Sequence, residues 1–140
     1  AYRSKTNSTG NARAWLFSRE PNVRMTNTYL LPQDYSLEEL LEQVKNGFYL
    51  SGDEGGSADR NGQFMFVTSI AQKIEHGELT EEYFLGPCIS GNALEAFTSC
   101  SVGDRKTWIL RPAMCGKGES AFVGNGGPNI STEVMIGGIL

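Results

Sequence analysis

Apolar residues recur along this chain with two periods. The helical one is clearest at Leu37, Leu40, Leu41 and Val44, which fall at i, i+3, i+4 and i+7 on one stripe. Ser36 and Glu39 form an S-x-x-E capping box, and Asn46-Gly47 supplies a stop, so the pattern predicts a helix over residues 36–45. Lys45 suits the negative end of that helix, and Glu38, Glu39 and Glu42 fall on its solvated face. A second helix is predicted over residues 93–100. Ser90-Gly91-Asn92 caps it, and Leu94, Phe97 and Thr98 face inward.

The other period is two. Residues 23–31 read as one strand, with Val23, Met25 and Asn27 on one face and Arg24, Thr26 and Thr28 on the other. Phe48-Tyr49-Leu50 starts a short strand. Residues 63–75 carry Phe64, Phe66, Ser69, Ile70 and Ile74 in a strand pattern, and residues 82–88 read as the return. Between them Glu75-His76-Gly77-Glu78 has the form of a hairpin tip, which makes His76 an exposed turn residue. Gly86-Pro87 breaks the returning strand. Trp108-Ile109-Leu110, the segment ending in Phe122-Val123, and residues 130–136 give three more strands. The glycines of the run through Gly55-Gly56 permit close backbone approach or a bulge, with a turn as the default reading, and Gly124-Asn125-Gly126-Gly127 and Asp59-Arg60-Asn61-Gly62 read as turns. The sum is an α+β fold, mainly antiparallel sheet with two short helices. It is expected to form a single domain over residues 1–140, with residues 1–20 partly irregular. Residues 1–20 are polar and turn-rich, as in Ser4-Lys5-Thr6-Asn7-Ser8-Thr9-Gly10-Asn11, and read as a loop. Arg13-Ala14-Trp15-Leu16-Phe17 is an extended piece that Pro21 ends.

Composition narrows the function. The chain has 140 residues and a net charge of −4, so the positive field that nucleic acid requires is missing. No apolar run is long enough for a membrane span, and no signal peptide opens the chain. Three cysteines without a CxxC pair fit a reducing, cytoplasmic compartment. The first residue is not Met and the opening is polar, as expected of a piece of a longer protein or of a processed or engineered product. Gly52 to Gly56 is not a phosphate loop, because no G-K-[ST] follows, and Asp53, Glu54 and Asp59 lack the spacing of a calcium loop.

The single histidine limits the chemistry most. A site with two imidazole ligands cannot be built from these residues alone. Cys115 is the candidate that remains. It lies in Met114-Cys115-Gly116-Lys117-Gly118, where two glycines leave its sulfur open. One reading is a buried free thiol with no chemistry. The other is a metal ligand or nucleophile, with Lys117 either favouring the thiolate or reaching solvent.

The order of Arg24-Met25-Thr26-Asn27-Thr28-Tyr29, the helix after Pro32, Gly55-Gly56, Ile89-Ser90-Gly91-Asn92-Ala93-Leu94, Val102-Gly103-Asp104, Met114-Cys115-Gly116-Lys117 and Gly124-Asn125-Gly126-Gly127-Pro128 resembles the C-terminal domain of the TldD/PmbA family. That family is also labelled modulators of DNA gyrase. The resemblance implies a zinc peptidase of two related subunits that matures peptide antibiotics and degrades unfolded peptides. It implies an upstream His-Glu-x-x-x-His helix that supplies two zinc ligands and the general base, with Cys115 as the third ligand. It places Asn27, Thr28, Gly55, Gly56 and Lys117 near the substrate channel, although Asn27 reads equally as a hydrogen-bonder that braces a loop. The His-Glu-x-x-x-His motif is absent here, and His76 stands where the family commonly has Asn. The isolated polypeptide is therefore expected to bind zinc poorly and to hydrolyse nothing. Two other readings remain open: a non-catalytic module that binds a partner subunit or gyrase, and a thiol site with Cys115 as nucleophile or redox sensor.

Overall fold

The computed structural model describes residue 7 and residues 9–138. Of the loop expected over residues 1–20, residues 1–6 and 8 lie outside the described residues, and the described part is irregular except for the two-residue strand Ala12–Arg13. Strands β1 (Ala12–Arg13), β2 (Asn22–Val23) and β3 (Thr28–Tyr29) come first, then helix α1 (Leu37–Val44). They are followed by β4 (Gly47–Ser51), β5 (Gly55–Ala58), β6 (Gln63–Val67), β7 (Ile70–Glu75), β8 (Glu78–Leu85) and β9 (Cys88–Asn92). After helix α2 (Ala93–Thr98) come β10 (Ser101–Val102), a 3-10 turn at Arg105–Thr107, β11 (Ile109–Lys117), β12 (Glu119–Gly127), β13 (Ile130–Ser131) and β14 (Met135–Gly137). The fold is α+β, mostly antiparallel sheet with two short helices, as the residue pattern predicts.

The chain forms two packed units. The first takes residues up to Leu31 together with Trp108–Gly127. It holds the β1-β2 pair and a sheet in the order β11-β12-β3. Its buried apolar residues are Ala121 and Val123, on alternate positions of β12. The second unit takes Pro32–Thr107 and the residues from Pro128 onward. It holds the sheets β14-β9-β6-β5 and β4-β7-β8, the small β10-β13 pair, and both helices. Leu40 of α1, Ala71 and Ile74 of β7, Pro87, and Val102 of β10 are among its buried apolar residues.

Helix α1 begins where the capping box predicts. Ser36 Oγ accepts from the Glu39 N–H at 3.2 Å, and Glu39 Oε2 accepts from the Ser36 N–H at 2.8 Å. It ends one residue early, because Lys45 itself takes a positive φ of 60° and Gly47 already starts β4. The β7–β8 hairpin closes with two residues, His76 and Gly77, at φ 53° and 84°. Two positive values in a two-residue loop are the twist-matched I′ turn. Gly77 is buried against α1, where an added Cβ would lie 3.1 Å from the Glu42 Cα.

Four local expectations are corrected. The predicted strand over residues 23–31 is interrupted after Val23, and pairing resumes only at Thr28. Within the gap, Asn27 Oδ1 takes the Gly124 N–H at 2.7 Å, a polar side chain standing in for a ladder carbonyl. Gly55-Gly56 is not a turn but the start of β5. A Cβ at Gly56 would lie 2.2 Å from the Met65 carbonyl oxygen of the paired strand. Gly124 to Gly127 likewise end β12, paired with residues 109–112, and a Cβ at Gly126 would lie 2.0 Å from the Ile109 carbonyl oxygen. In both places glycine serves close strand approach rather than chain reversal. Finally, α2 turns its small residues inward. Ala93 and Ala96 are half-buried, whereas Leu94 and Phe97 are exposed. In six residues the i, i+3 spacing from 93 fits as well as that from 94.

Candidate functional site

Cys115 sits on β11, three residues before the turn at Gly118. Alternation along a strand places it on the same face as Ala113, with Ala121 directly across the ladder from it. Ala121 and Val123 are the buried residues of that face, and Met114 and Phe122 on the opposite face are exposed. Cys115 is half-buried, so its sulfur is neither sealed in the core nor fully in solvent.

The hairpin that carries it is held at both ends. At the base, the Trp108 indole N–H donates to the Leu30 carbonyl at 3.2 Å, and its ring stands edge-on to Tyr29 with centroids 5.9 Å apart. At the tip, Arg24 is buried, with only 6% of its surface exposed. Its Nη2 donates to the Cys115 carbonyl at 2.7 Å and to the Glu119 carbonyl at 2.5 Å, and its Nη1 donates to the Lys117 carbonyl at 3.0 Å. Residues 115 and 117 are two apart, so their carbonyls point to the same side of the strand. The turn at Gly118, with φ 72°, brings the Glu119 carbonyl to the same guanidinium. The Glu119 side chain is engaged separately, by Arg19 Nε at 3.3 Å.

Lys117 Nζ donates to the Val23 carbonyl at 3.1 Å, so the ammonium braces the chain beside the tip. Asn27 braces β12 through Gly124, and its Nδ2 has no partner among the described residues. Thr28 pairs with Asn125, and its hydroxyl donates to the Thr26 carbonyl at 3.2 Å. Asn27, Thr28, Cys115 and Lys117 thus belong to the first unit, whereas Gly55 and Gly56 belong to the second. Arg24 is not singled out by the sequence as a site residue, because the alternation only groups it with Thr26 and Thr28 on one face of a strand. Its only sequence signal is membership of the Arg-Met-Thr-Asn motif.

All three cysteines are free. The thiols of Cys88 and Cys100 contact the carbonyls of Ile89 and Phe97 at 3.9 and 3.4 Å, and Cys115 makes no side-chain hydrogen bond among the described residues. A thiolate is a soft donor suited to zinc, and catalytic zinc takes three protein ligands and keeps a fourth position for water. Among the described residues no three His, Cys, Asp or Glu side chains are grouped to hold a metal ion. Cys115 therefore fits zinc as one donor of a set completed by other residues. His76 is an exposed turn residue in the second unit. The second unit also carries an open, mainly apolar groove of about 1050 Å³, whose walls include no cysteine or histidine. No helix among the described residues is long and apolar enough to cross a membrane.

Residues 1–138 match the profile described as "PmbA/TldA metallopeptidase C-terminal domain". The chain is 38% identical over 141 residues to a protein named "Metalloprotease" from Methanothermobacter thermautotrophicus, covering 99% of this chain and 30% of that protein. It is 36% identical over 132 residues to a "Zinc metalloprotease TldD homolog" from Saccharolobus solfataricus, covering 93% of this chain and 29% of the relative. Against a "Metalloprotease TldD homolog" from Haemophilus influenzae the identity is 37% over 134 residues, 93% of this chain and 28% of that protein. The chain thus spans about three tenths of the length of these relatives. With nearly its whole length matched, the chain belongs to the PmbA/TldD metallopeptidase family and carries its C-terminal domain.

Proposed function

We propose that this chain is the C-terminal part of a zinc metallopeptidase that cleaves unstructured peptides, and that Cys115 supplies one thiolate ligand to the metal. The observation that carries the reading is the free, half-buried thiol on a braced hairpin tip, in a chain of a metallopeptidase family. The remaining ligands and the general base come from an upstream His-Glu-x-x-x-His segment. Bound zinc polarises the scissile carbonyl and lowers the pKa of its water. The residues of this chain do the holding. Cys115 fixes one corner of the metal, and Arg24, Trp108 and the strand ladder keep its strand in place.

Peptide binding follows from strand order. Among the described residues β11 is an edge of its sheet, so its outer main-chain groups, apart from the carbonyls that Arg24 takes, are open to an added strand. Main-chain pairing is largely indifferent to side chains, which suits unstructured substrates. Asn27, Thr28 and Lys117 on the first unit and, separately, the Gly55-Gly56 strand of the second are the residues assigned to substrate contact. A related family subunit is the expected partner. A non-catalytic, partner-binding role, including gyrase modulation, is the second reading. It is favoured by the exposed apolar residues Phe17, Met114 and Phe122 on the first unit.

The test uses the full-length protein and an unstructured fluorogenic peptide. Wild type hydrolyses it, Cys115→Ser loses at least about a hundredfold in kcat/KM, and a chelator abolishes the wild-type rate. Hydrolysis by Cys115→Ser at the wild-type rate rejects the ligand role. No hydrolysis by a zinc-loaded wild type favours the partner-binding module.

A further inference from the structure

The Arg24 guanidinium is more deeply buried than packing of a surface strand requires. It meets no carboxylate among the described residues. Burying a cation without an ion pair is costly unless several acceptors replace water. Here three main-chain carbonyls do so, and all three belong to the turn that carries Cys115. The planar fork of an arginine spans such a set from two nitrogens, whereas a lysine has to reach all three carbonyls from a single nitrogen.

The contact to Cys115 is to its own carbonyl, at 2.7 Å. A peptide group is planar, so holding that oxygen fixes ψ of Cys115, while the ladder to Ala121 fixes the chain on the other side. What remains free is χ1, one staggered torsion about the Cα–Cβ bond that swings Sγ. A zinc–sulfur bond is about 2.3 Å long and tolerates little misplacement of the donor, and such supporting contacts are what hold a ligand in register. Gly116 and Gly118 follow the cysteine into the turn, so without a clamp this turn is among the least constrained parts of the hairpin.

We infer that Arg24 is the positioning residue of the metal site: its guanidinium locks the Cys115–Glu119 turn so that the thiolate is presented to zinc in one orientation. The inference rests on the reading of Cys115 as a zinc ligand. Arg24 does not touch the sulfur, the metal or the substrate in this role.

The experiment uses full-length protein as wild type, Arg24→Gln, Arg24→Lys, Cys115→Ser and the control Arg19→Gln, whose exposed side chain pairs with Glu119 at the same turn. Zinc affinity is measured by chelator competition. Cobalt is substituted for zinc to record the sulfur-to-metal charge-transfer band. Alkylation of each cysteine by iodoacetamide is followed by peptide mass spectrometry in metal-free protein, with Cys88 and Cys100 as internal references. Arg24→Gln is expected to lose about 10- to 100-fold in zinc affinity, as loss of a ligand's outer-shell support does. It is expected to weaken the cobalt–thiolate band and to change the alkylation rate of Cys115 alone. Arg24→Lys recovers part of each effect, and Arg19→Gln leaves all three at wild type. If Cys115→Ser loses zinc while Arg24→Gln keeps wild-type affinity, band and Cys115 reactivity, the positioning role is overturned and the ligand role stands. If Cys115→Ser keeps its zinc and band, both fall. If all three cysteines become reactive together in Arg24→Gln, the change is global and the folded Arg24→Lys decides by the same readouts. Global loss in both variants assigns Arg24 to folding alone and overturns the inference.

Discussion

Replacing Gly126 by alanine tests whether the hairpin behind Cys115 depends on close strand approach. The new Cβ would lie 2.0 Å from the Ile109 carbonyl oxygen and 2.8 Å from the Leu110 Cα, both main-chain atoms that no side-chain rotation moves away. Gly126 is also where three strands meet. It pairs with Leu110 on one side and Tyr29 on the other, and its carbonyl accepts from the Leu30 N–H at 2.9 Å. Overpacking of a tight site costs roughly 1–3 kcal/mol, and each ladder bond broken in relieving it adds about 1 kcal/mol. Two such bonds bring the total to roughly 3–5 kcal/mol. Gly118→Ala is the control in the same hairpin. Its φ of 72° costs an alanine about 1–2 kcal/mol, and an added Cβ there meets nothing within 4 Å. Hydrogen exchange of the β11 and β12 amides reads the difference directly, because tenfold in opening corresponds to about 1.4 kcal/mol. Gly126→Ala should speed exchange by at least about a hundredfold and Gly118→Ala by about tenfold. Equal rates in the two variants would refute the claim that Gly126 is required by strand proximity.

His76→Asn should leave stability within about 0.5 kcal/mol of wild type in thermal melts, because Asn tolerates the positive φ of that turn. The same variant of the full-length protein should keep its zinc, and a loss would promote His76 to a ligand. Leu40→Ala removes the buried anchor of α1 and should cost about 2–5 kcal/mol by urea denaturation. Lys73 lies between Glu75 and Glu82 at 2.8 and 2.9 Å. Hydrogen bonds to Glu75 and then Glu82 raise the Lys73 pKa, and the hydrogen bond from Lys73 lowers that of Glu75. The Glu75 contribution is therefore present above the ordinary carboxylate pKa and fades as pH falls through its lowered value. The Lys73 contribution is present below the ordinary lysine pKa and fades as pH rises through its raised value. Lys73→Met should flatten both limbs of a stability–pH curve, and the effect should shrink in high salt because the groups are solvent-accessible.

Much of this fold was legible wherever local chemistry decides the outcome. The Ser36–Glu39 box starts α1, and His76-Gly77 closes a two-residue hairpin, because both depend on neighbouring residues alone. The glycine runs left the choice open at Gly55-Gly56 and misled at Gly124 to Gly127, because a glycine at a turn and a glycine under a neighbouring strand look alike in sequence. Gly56 and Gly126 are of the second kind, and only the partner strand shows it. Leu94 and Phe97 misled for a related reason: a six-residue helix offers two apolar faces, and tertiary packing chose the alanines. In the candidate site Cys115 stood out through its glycine neighbours and its place in the motif. Arg24 did not, because its partners are main-chain carbonyls 91–95 residues away, which leave no mark on side-chain periodicity.

The central claim concerns a bond, and X-ray absorption at the zinc edge of the full-length, zinc-loaded protein observes that bond. A Cys115 ligand predicts one sulfur scatterer at about 2.3 Å beside nitrogen and oxygen at about 2.0–2.2 Å, with the sulfur shell absent in Cys115→Ser. A wild-type spectrum that contains nitrogen and oxygen alone, or a sulfur shell that survives in Cys115→Ser, would contradict the account.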